Sequence, residues 1–181
     1  VSYMDKTNFG RTEMNLPKEE VYELVAQQLI LLKEITDLFS IQLTHVKPHG
    51  ALYNQSAKDA NLAKTIARAV KDFDQQLILF GLSGSHSIRE AGLLGLKTSS
   101  EVFADRSYQD DCSLTPRSQP GALIEDVNMA IKQVLQMINE GMVTTVSGKT
   151  IPIKVQTICI HGDGMHAVEF AKAIHDAIQR M

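Results

Sequence analysis

Apolar and polar residues follow two periods along this chain, and the two periods take turns. Pro17, Glu19 and Glu20 suit the first turn of a helix, where a missing N–H costs nothing and the dipole favours negative charge. Apolar positions then fall at Val21, Leu24/Val25, Leu29, Leu32, Ile35 and Phe39, a stripe that predicts one helix face turned to a core. Residues 41–46 are β-branched and half alternating, which predicts a strand, followed by a Pro- and Gly-bearing loop over 47–54. Ser56 and Asp59 resemble a capping box before a second helix carrying Leu62, Ile66, Ala69/Val70 and Phe73.

The alternation continues. Residues 77–82 form a continuous apolar run, the mark of a strand buried on both faces. Ser83-Gly-Ser-His86 turns the chain into a short helix over about 86–93. A third strand is predicted over 96–101, then a long polar loop over 102–121 and a helix over 122–139. Residues 142–153 read as a β-hairpin around Ser147-Gly148, 155–160 as a fourth strand and 165–180 as a closing helix. Strands alternating with helices imply a parallel sheet with helices outside. No Gly-x-Gly-x-x-Gly or Walker-type loop occurs, and four strands are too few to close a barrel, where about eight are usual. The pattern leaves a small open α/β sheet, or about half a barrel.

Composition narrows the function classes. The 181 residues are 44% hydrophobic and 22% charged, ordinary for a globular protein and wrong for a disordered tail or fibre. Lys and Arg total 18 against 21 Asp and Glu, with no basic stripe, so nucleic acid and anionic membrane surfaces are poor partners. No apolar run reaches the roughly 18 residues of a membrane span. Cys112 and Cys159 are too few for a disulfide framework or zinc knuckle, and neither has an evident base partner. A soluble cytoplasmic protein is expected. The chain opens at Val1 without an initiator methionine or signal peptide.

In parallel α/β architectures, chemistry collects at the carboxyl ends of the strands. The first strand delivers His45, Lys47 and His49, and the second Ser83, Ser85 and His86. The third delivers Glu101, then Asp105, Arg106, Tyr108 and Asp110, and the fourth His161 and Asp163. His45, His49 and His161 could ligate a metal with a carboxylate, but none has helical His-x-x-x-His spacing, so hydrogen bonding to substrate is preferred. His45 also fits a core position on an inward strand face. Arg106 and Arg117 in one long loop suggest a clamp for carboxylate or phosphate. Asp163 suits holding a metal–nucleotide, orienting His161, or capping a helix. His86, His166 and His175 read as surface or packing residues.

Four segments together resemble the LamB/YcsF family. They are His45-Val-Lys-Pro-His-Gly-Ala-Leu-Tyr-Asn54, Glu101-Val-Phe-Ala-Asp-Arg-Ser-Tyr108 with Pro116-Arg-Ser-Gln-Pro-Gly121, Ile158-Cys-Ile-His-Gly-Asp163, and Asn8-Phe-Gly-Arg-Thr-Glu-Met14. The resemblance implies an α/β fold: an incomplete seven-stranded β/α barrel of the glycoside hydrolase/deacetylase type. About four of its strands would lie in this chain, as the C-terminal part of a single domain over 1–181. It implies ATP-dependent opening of 5-oxo-L-proline (pyroglutamate) to L-glutamate, with partner subunits B and C and with Mg²⁺ accompanying ATP.

By the same resemblance, Lys47 and Arg106 would stabilise phosphoryl or substrate oxygens. Glu101 or Asp163 would hold Mg²⁺ or activate water, and His49 and His161 would shuttle protons. His45, Asn54, Tyr108 and Arg117 would complete the substrate and ATP contacts. Departures from the family pattern exist. Val1-Ser-Tyr-Met-Asp5 stands for a Pro-x-Tyr-Pro-Asp loop, Cys112 for a glycine, and Gly164-Met165 for Thr-Pro. Upstream Asp-Leu-Asn-x-Asp and Cys-Gly-x-His-Ala-Gly-Asp-like segments are absent, so Val1 is expected to be a cut through an active-site loop. Two other readings stay open, a metal-dependent polysaccharide or amide deacetylase and a catalytically incompetent scaffold subunit. Homo-oligomerisation is left open too.

Overall fold

The computed structural model describes residues 1–162 and 167–180. The elements run α1 (Lys18–Leu38), β1 (His45–Val46), α2 (Gly50–Lys58), α3 (Ala60–Phe73), β2 (Ile78–Leu82), α4 (His86–Leu93) and β3 (Lys97–Phe103). They continue with α5 (Val127–Glu140), β4 (Met142–Thr144), β5 (Thr150–Pro152), β6 (Thr157–Cys159) and α6 (Ala167–Gln179). The four-stranded sheet has the order β1-β2-β3-β6, and β4 with β5 forms a separate hairpin. The chain divides into two compact units, Val1–Ser99 and Ser100–Met181. No described helix is long and apolar enough to cross a membrane.

In the first unit, β1 and β2 pair in parallel, His45 with Ile78 and Val46 with Leu79. Val21, Val25 and Leu29 of α1 join Val46, Leu52, Ile66, Val70, Leu77 and Leu79 in its core. Pro17 is the N-cap of α1 rather than its first residue. The expected stripe is buried only in its first half, since Leu32, Ile35 and Phe39 are exposed. The predicted strand over 41–46 shrinks to two residues, and Ile41 too is exposed.

The expected loop over 47–54 is the largest departure, because α2 begins at Gly50 and occupies most of it. Ser56 is therefore no cap. It lies buried in α2, donating to the Tyr53 carbonyl at 3.1 Å. Asp59 is itself the N-cap of α3, its Oδ1 accepting from the N–H groups of Asn61 and Leu62 at 2.8 and 3.1 Å. Residues 1–11 fold against this region. The Val1 amine donates to Lys47 O, the His49 N–H to Val1 O, and the Ala51 N–H to Gly10 O, at 3.0, 2.8 and 2.9 Å.

In the second unit, β3 and β6 run parallel, Glu101 opposite Thr157 and Phe103 opposite Cys159. β3 extends two residues past its expected end because Val102 and Phe103 are buried apolar residues. β6 is three residues where six were expected. α5 starts at Val127 rather than 122, since the Asp126 carboxylate caps it through the Met129 N–H at 2.8 Å. It stops at Gly141, whose φ of 64° is the left-handed C-cap conformation. The hairpin forms as expected, with Val143 opposite Ile151.

The N-terminal segment depends on Gly50. Its φ is 62°, and a Cβ there would overlap the Gly10 carbonyl. Gly50→Ala is expected to cost about 2–4 kcal/mol. A thermal melt should show a fall of roughly 5–15 °C for a chain of this size. Gly148→Ala, at a φ of 85° but with open space around it, should show only the smaller backbone cost, about 1 kcal/mol.

Candidate active site

The second unit carries the best-defined chemical arrangement. Side chains alternate along a strand, so Glu101 and Phe103 fall on one face at the end of β3, and Asp105 follows in the bend just past it. Parallel pairing continues past Phe103 and Cys159, with the Ala104 N–H donating to Cys159 O at 3.0 Å. Two residues further on, Asp105 and His161 meet. The His161 backbone N–H donates to Asp105 Oδ2 at 2.9 Å, and its Nδ1 lies 3.0 and 2.9 Å from Oδ1 and Oδ2. The imidazole stacks on Phe103, with centroids 5.5 Å apart and planes at 21°. Its side chain is 28% exposed and that of Asp105 15%, so the pair is partly sheltered yet open to a ligand.

The protonation pattern follows from these contacts. Burial works to raise the Asp105 carboxyl, but the ring and backbone N–H of His161 outweigh it and hold the group below its ordinary value. An ionised carboxylate only accepts hydrogen bonds, so Nδ1 of His161 carries the proton. With Nδ1 held in this way, Nε2 is the ring nitrogen left to exchange a proton with a ligand, the arrangement of an acid–base group oriented by a carboxylate.

Other expected site residues have different tasks. Arg106 is 5% exposed, and its Nε and Nη2 donate to the carbonyls of Ala122 and Thr115 at 3.2 and 2.6 Å. Burial, then the charge of Arg117, lowers its pKa. It therefore staples the 106–122 loop, and the expected two-arginine clamp is reduced to exposed Arg117. Tyr108 is fully buried, its hydroxyl accepting from the Phe103 N–H at 2.7 Å, and burial pushes its pKa up. In this structure its hydroxyl braces the end of β3. Glu101 is buried on β3 at 3% exposure. Asp163 and His166 lie outside the described residues.

In the first unit, His45, Lys47, His49 and Asn54 gather where β1 passes into α2. His45 is exposed, not a core histidine, and stacks on Phe80 with centroids 4.6 Å apart. Lys47 places Nζ 5.8 Å over the Tyr53 ring. His49 is the exposed N-cap of α2, and Asn54 Nδ2 donates to Gly50 O at 3.3 Å. Among the described residues, no group of three His, Cys, Asp or Glu side chains could hold a metal.

Two contributors escape a reading of the sequence alone. Asp105 is the described carboxylate that orients His161. Gln133 of α5 donates through Nε2 to the carbonyls of Phe103 and Arg106 at 3.0 and 2.9 Å, fixing the backbone on both sides of Asp105. Asp105 stands in the sequence beside the strand end, but its partner is set by strand register. Nothing in the sequence marks Gln133.

The second unit thus places a carboxylate-oriented histidine at the carboxyl ends of parallel strands, where α/β folds carry their ligand sites. Residues 1–181 match the LamB/YcsF family, and the chain belongs to it. It is 50% identical over 177 residues to the A-type subunit of 5-oxoprolinase from Geobacillus kaustophilus (strain HTA426), covering 98% of this chain and 69% of that relative. It is also similar to the crystal structure of a lactam utilization protein from Thermus thermophilus. There the TM-score is 0.90 at 38% identity, with 99% of this chain and 71% of that chain covered.

The depressed Asp105 pKa has a consequence for stability. The ionised form is favoured by folding, so its contribution is present above the unfolded value of about 3.9 and is lost as pH falls through the folded value. Asp105→Asn is expected to lower the melting temperature at pH 7 and to narrow the gap between pH 7 and roughly pH 2.5. Melting curves across that range, wild type against variant, measure it.

Proposed function

We propose that this chain takes part in the hydrolytic opening of 5-oxo-L-proline to L-glutamate, coupled to ATP hydrolysis, as the A-type subunit of a multi-subunit 5-oxoprolinase. The observation that carries the reading is the Asp105–His161 pair. The names of the two relatives point to the same substrate class, a lactam. Subunits B and C, Mg²⁺, a barrel completed by further strands and a cytoplasmic location belong to the same proposal.

A lactam carbonyl is a poor electrophile because amide resonance is lost on attack. Transfer of the ATP γ-phosphoryl group to the carbonyl oxygen releases ADP and turns that oxygen into a leaving group. Water then attacks the activated carbon, the ring C–N bond breaks as the amine takes up a proton, and a second water cleaves the resulting acyl phosphate to glutamate and phosphate. In this scheme His161 Nε2 takes the proton from the attacking water, and Asp105 steadies the imidazolium that forms. Phe103 shields one face of the ring and keeps bulk water off it. Magnesium takes oxygen ligands, and Glu101 is the described carboxylate we assign to it, since both oxygens of Asp105 face His161. Arg117, exposed in the same unit as His161, supplies charge for substrate oxygens.

The assay is release of glutamate and phosphate from 5-oxoproline and ATP by the chain with its partner subunits. His161→Gln should lower kcat about 10²–10⁴-fold, the range for a general acid–base group, with a fall in melting temperature no larger than that of Asp105→Asn, so that the variant stays folded in the assay. Asp105→Asn should lower kcat on the same order by releasing the Nδ1 tautomer. Absence of both products in the wild-type assembly, or full turnover by the His161 variant, would overturn the reading. A scaffold role would show as turnover that survives both substitutions.

A further inference from the structure

The turn between β2 and α4 carries donors that the scheme above leaves unused. β2 ends at Leu82 and α4 begins at His86, so Ser83, Gly84 and Ser85 make the connection. Gly84 has a φ of 74° and nothing within 4 Å of the place a Cβ would take, which leaves that side of the turn open. Ser85 is the N-cap of α4, yet its side chain makes no capping bond. Its Oγ is buried with no hydrogen-bond partner, in a residue only 8% exposed. A buried hydroxyl without a partner destabilises a fold, and alanine would avoid that cost.

The surroundings favour an anion. The first N–H groups of an α-helix have no acceptor within the helix, and the dipole adds positive potential there. Ser85 is the residue that directly precedes those groups, and its hydroxyl bonds none of them. No carboxylate occurs in the run Ser83-Gly-Ser-His-Ser-Ile-Arg89. Glu90, the nearest along the chain, is paired with Arg89 Nη2 at 3.0 Å. Ser87 Oγ is committed elsewhere, donating to Ser56 Oγ of α2 at 3.1 Å, which anchors the turn. Parallel pairing of β1 with β2 brings Lys47 out at the same end of the sheet as this turn.

We propose that the Ser83–Ser87 turn is a binding site for a phosphoryl group, held by the Ser85 hydroxyl and the leading N–H groups of α4. Neutral donors converging from several directions suit a tetrahedral oxyanion, whereas a planar carboxylate is better met by a guanidinium fork. In the reaction above the group would be the terminal phosphate of the nucleotide or the phosphate released, and this identity rests on that reading.

Binding of inorganic phosphate and of ADP to the chain, measured by calorimetry, separates these sources. Ser85→Ala should weaken whichever of the two binds by about five- to tenfold while leaving the melting temperature unchanged or higher. Gly84→Asp should weaken it at least tenfold more than the isosteric Gly84→Asn, since the two differ by one charge and both side chains tolerate φ > 0. The site is overturned if wild type binds neither probe, if Gly84→Asp and Gly84→Asn behave alike, or if Ser85→Ala lowers the melting temperature without weakening binding. Loss of only 5-oxoproline or glutamate binding in these variants would overturn it too, by making it a carboxylate site. Lactam turnover is assayed separately with the partner subunits. Phosphate binding lost in Gly84→Asp without any wild-type turnover keeps the site and removes the metabolic reading. Turnover together with phosphate and ADP affinities that neither variant changes does the reverse.

Discussion

Parallel pairing of β3 with β6 is the constraint on which the acid–base site depends. A parallel ladder keeps one register along its length, so fixing Phe103 opposite Cys159 also fixes what lies two residues beyond each. Just past the strand ends the His161 ring meets both the Asp105 carboxylate and the face of Phe103. There the ladder gives way to side-chain bonding, and the His161 N–H turns to the Asp105 carboxylate instead of a strand carbonyl. The pair is thus anchored by sheet geometry at both ends. A slip of one residue would send one partner to the opposite face.

Holding the end of β3 is the task of buried polar groups that resemble catalytic ones. Arg106 spends its guanidinium on Ala122 O and Thr115 O, and Gln133 its amide on Phe103 O and Arg106 O. Asp110 accepts from Thr145 Oγ1 and Ser147 Oγ at 2.6 and 2.7 Å, tying the same loop to the β4–β5 hairpin. Burying a guanidinium carries a large desolvation cost, which such charge-assisted bonds offset. A connection of more than twenty residues between β3 and α5 becomes a braced platform, and Asp105 inherits its rigidity.

Order and type of the main elements were legible because they rest on local periodicity. The short helix α4 falls where the pattern placed it, and the hairpin turns around Ser147-Gly148 as expected. The failures share a cause in contacts between residues far apart in sequence. Pro48 and Gly50 read as loop punctuation, yet the positive φ of Gly50 opens α2 beneath the Gly10 carbonyl, forty positions away. Leu32, Ile35 and Phe39 have helical spacing, but the core of the first unit ends at Leu29, and periodicity alone cannot say where a core stops. Arg106 shows the same limit in the site. A guanidinium recognises oxygens, and a sequence does not reveal whether those oxygens belong to a substrate or to the chain's own carbonyls.

The geometry of Asp105 also limits what else the site can ask of it. Oδ2 accepts the His161 N–H, and both oxygens face the ring Nδ1 within 3.0 Å. A divalent cation drawn to this carboxylate would compete with those bonds and raise the cost of the protonated Nδ1 that orients Nε2. Acid–base work and cation binding are therefore better divided between carboxylates. The other acid of this segment, Glu101, lies four residues before Asp105, within β3, and is more deeply buried. Two acids four residues apart in the sequence become, in the structure, carboxylates at different depths, Asp105 turned to His161 just past the strand end and Glu101 buried within β3.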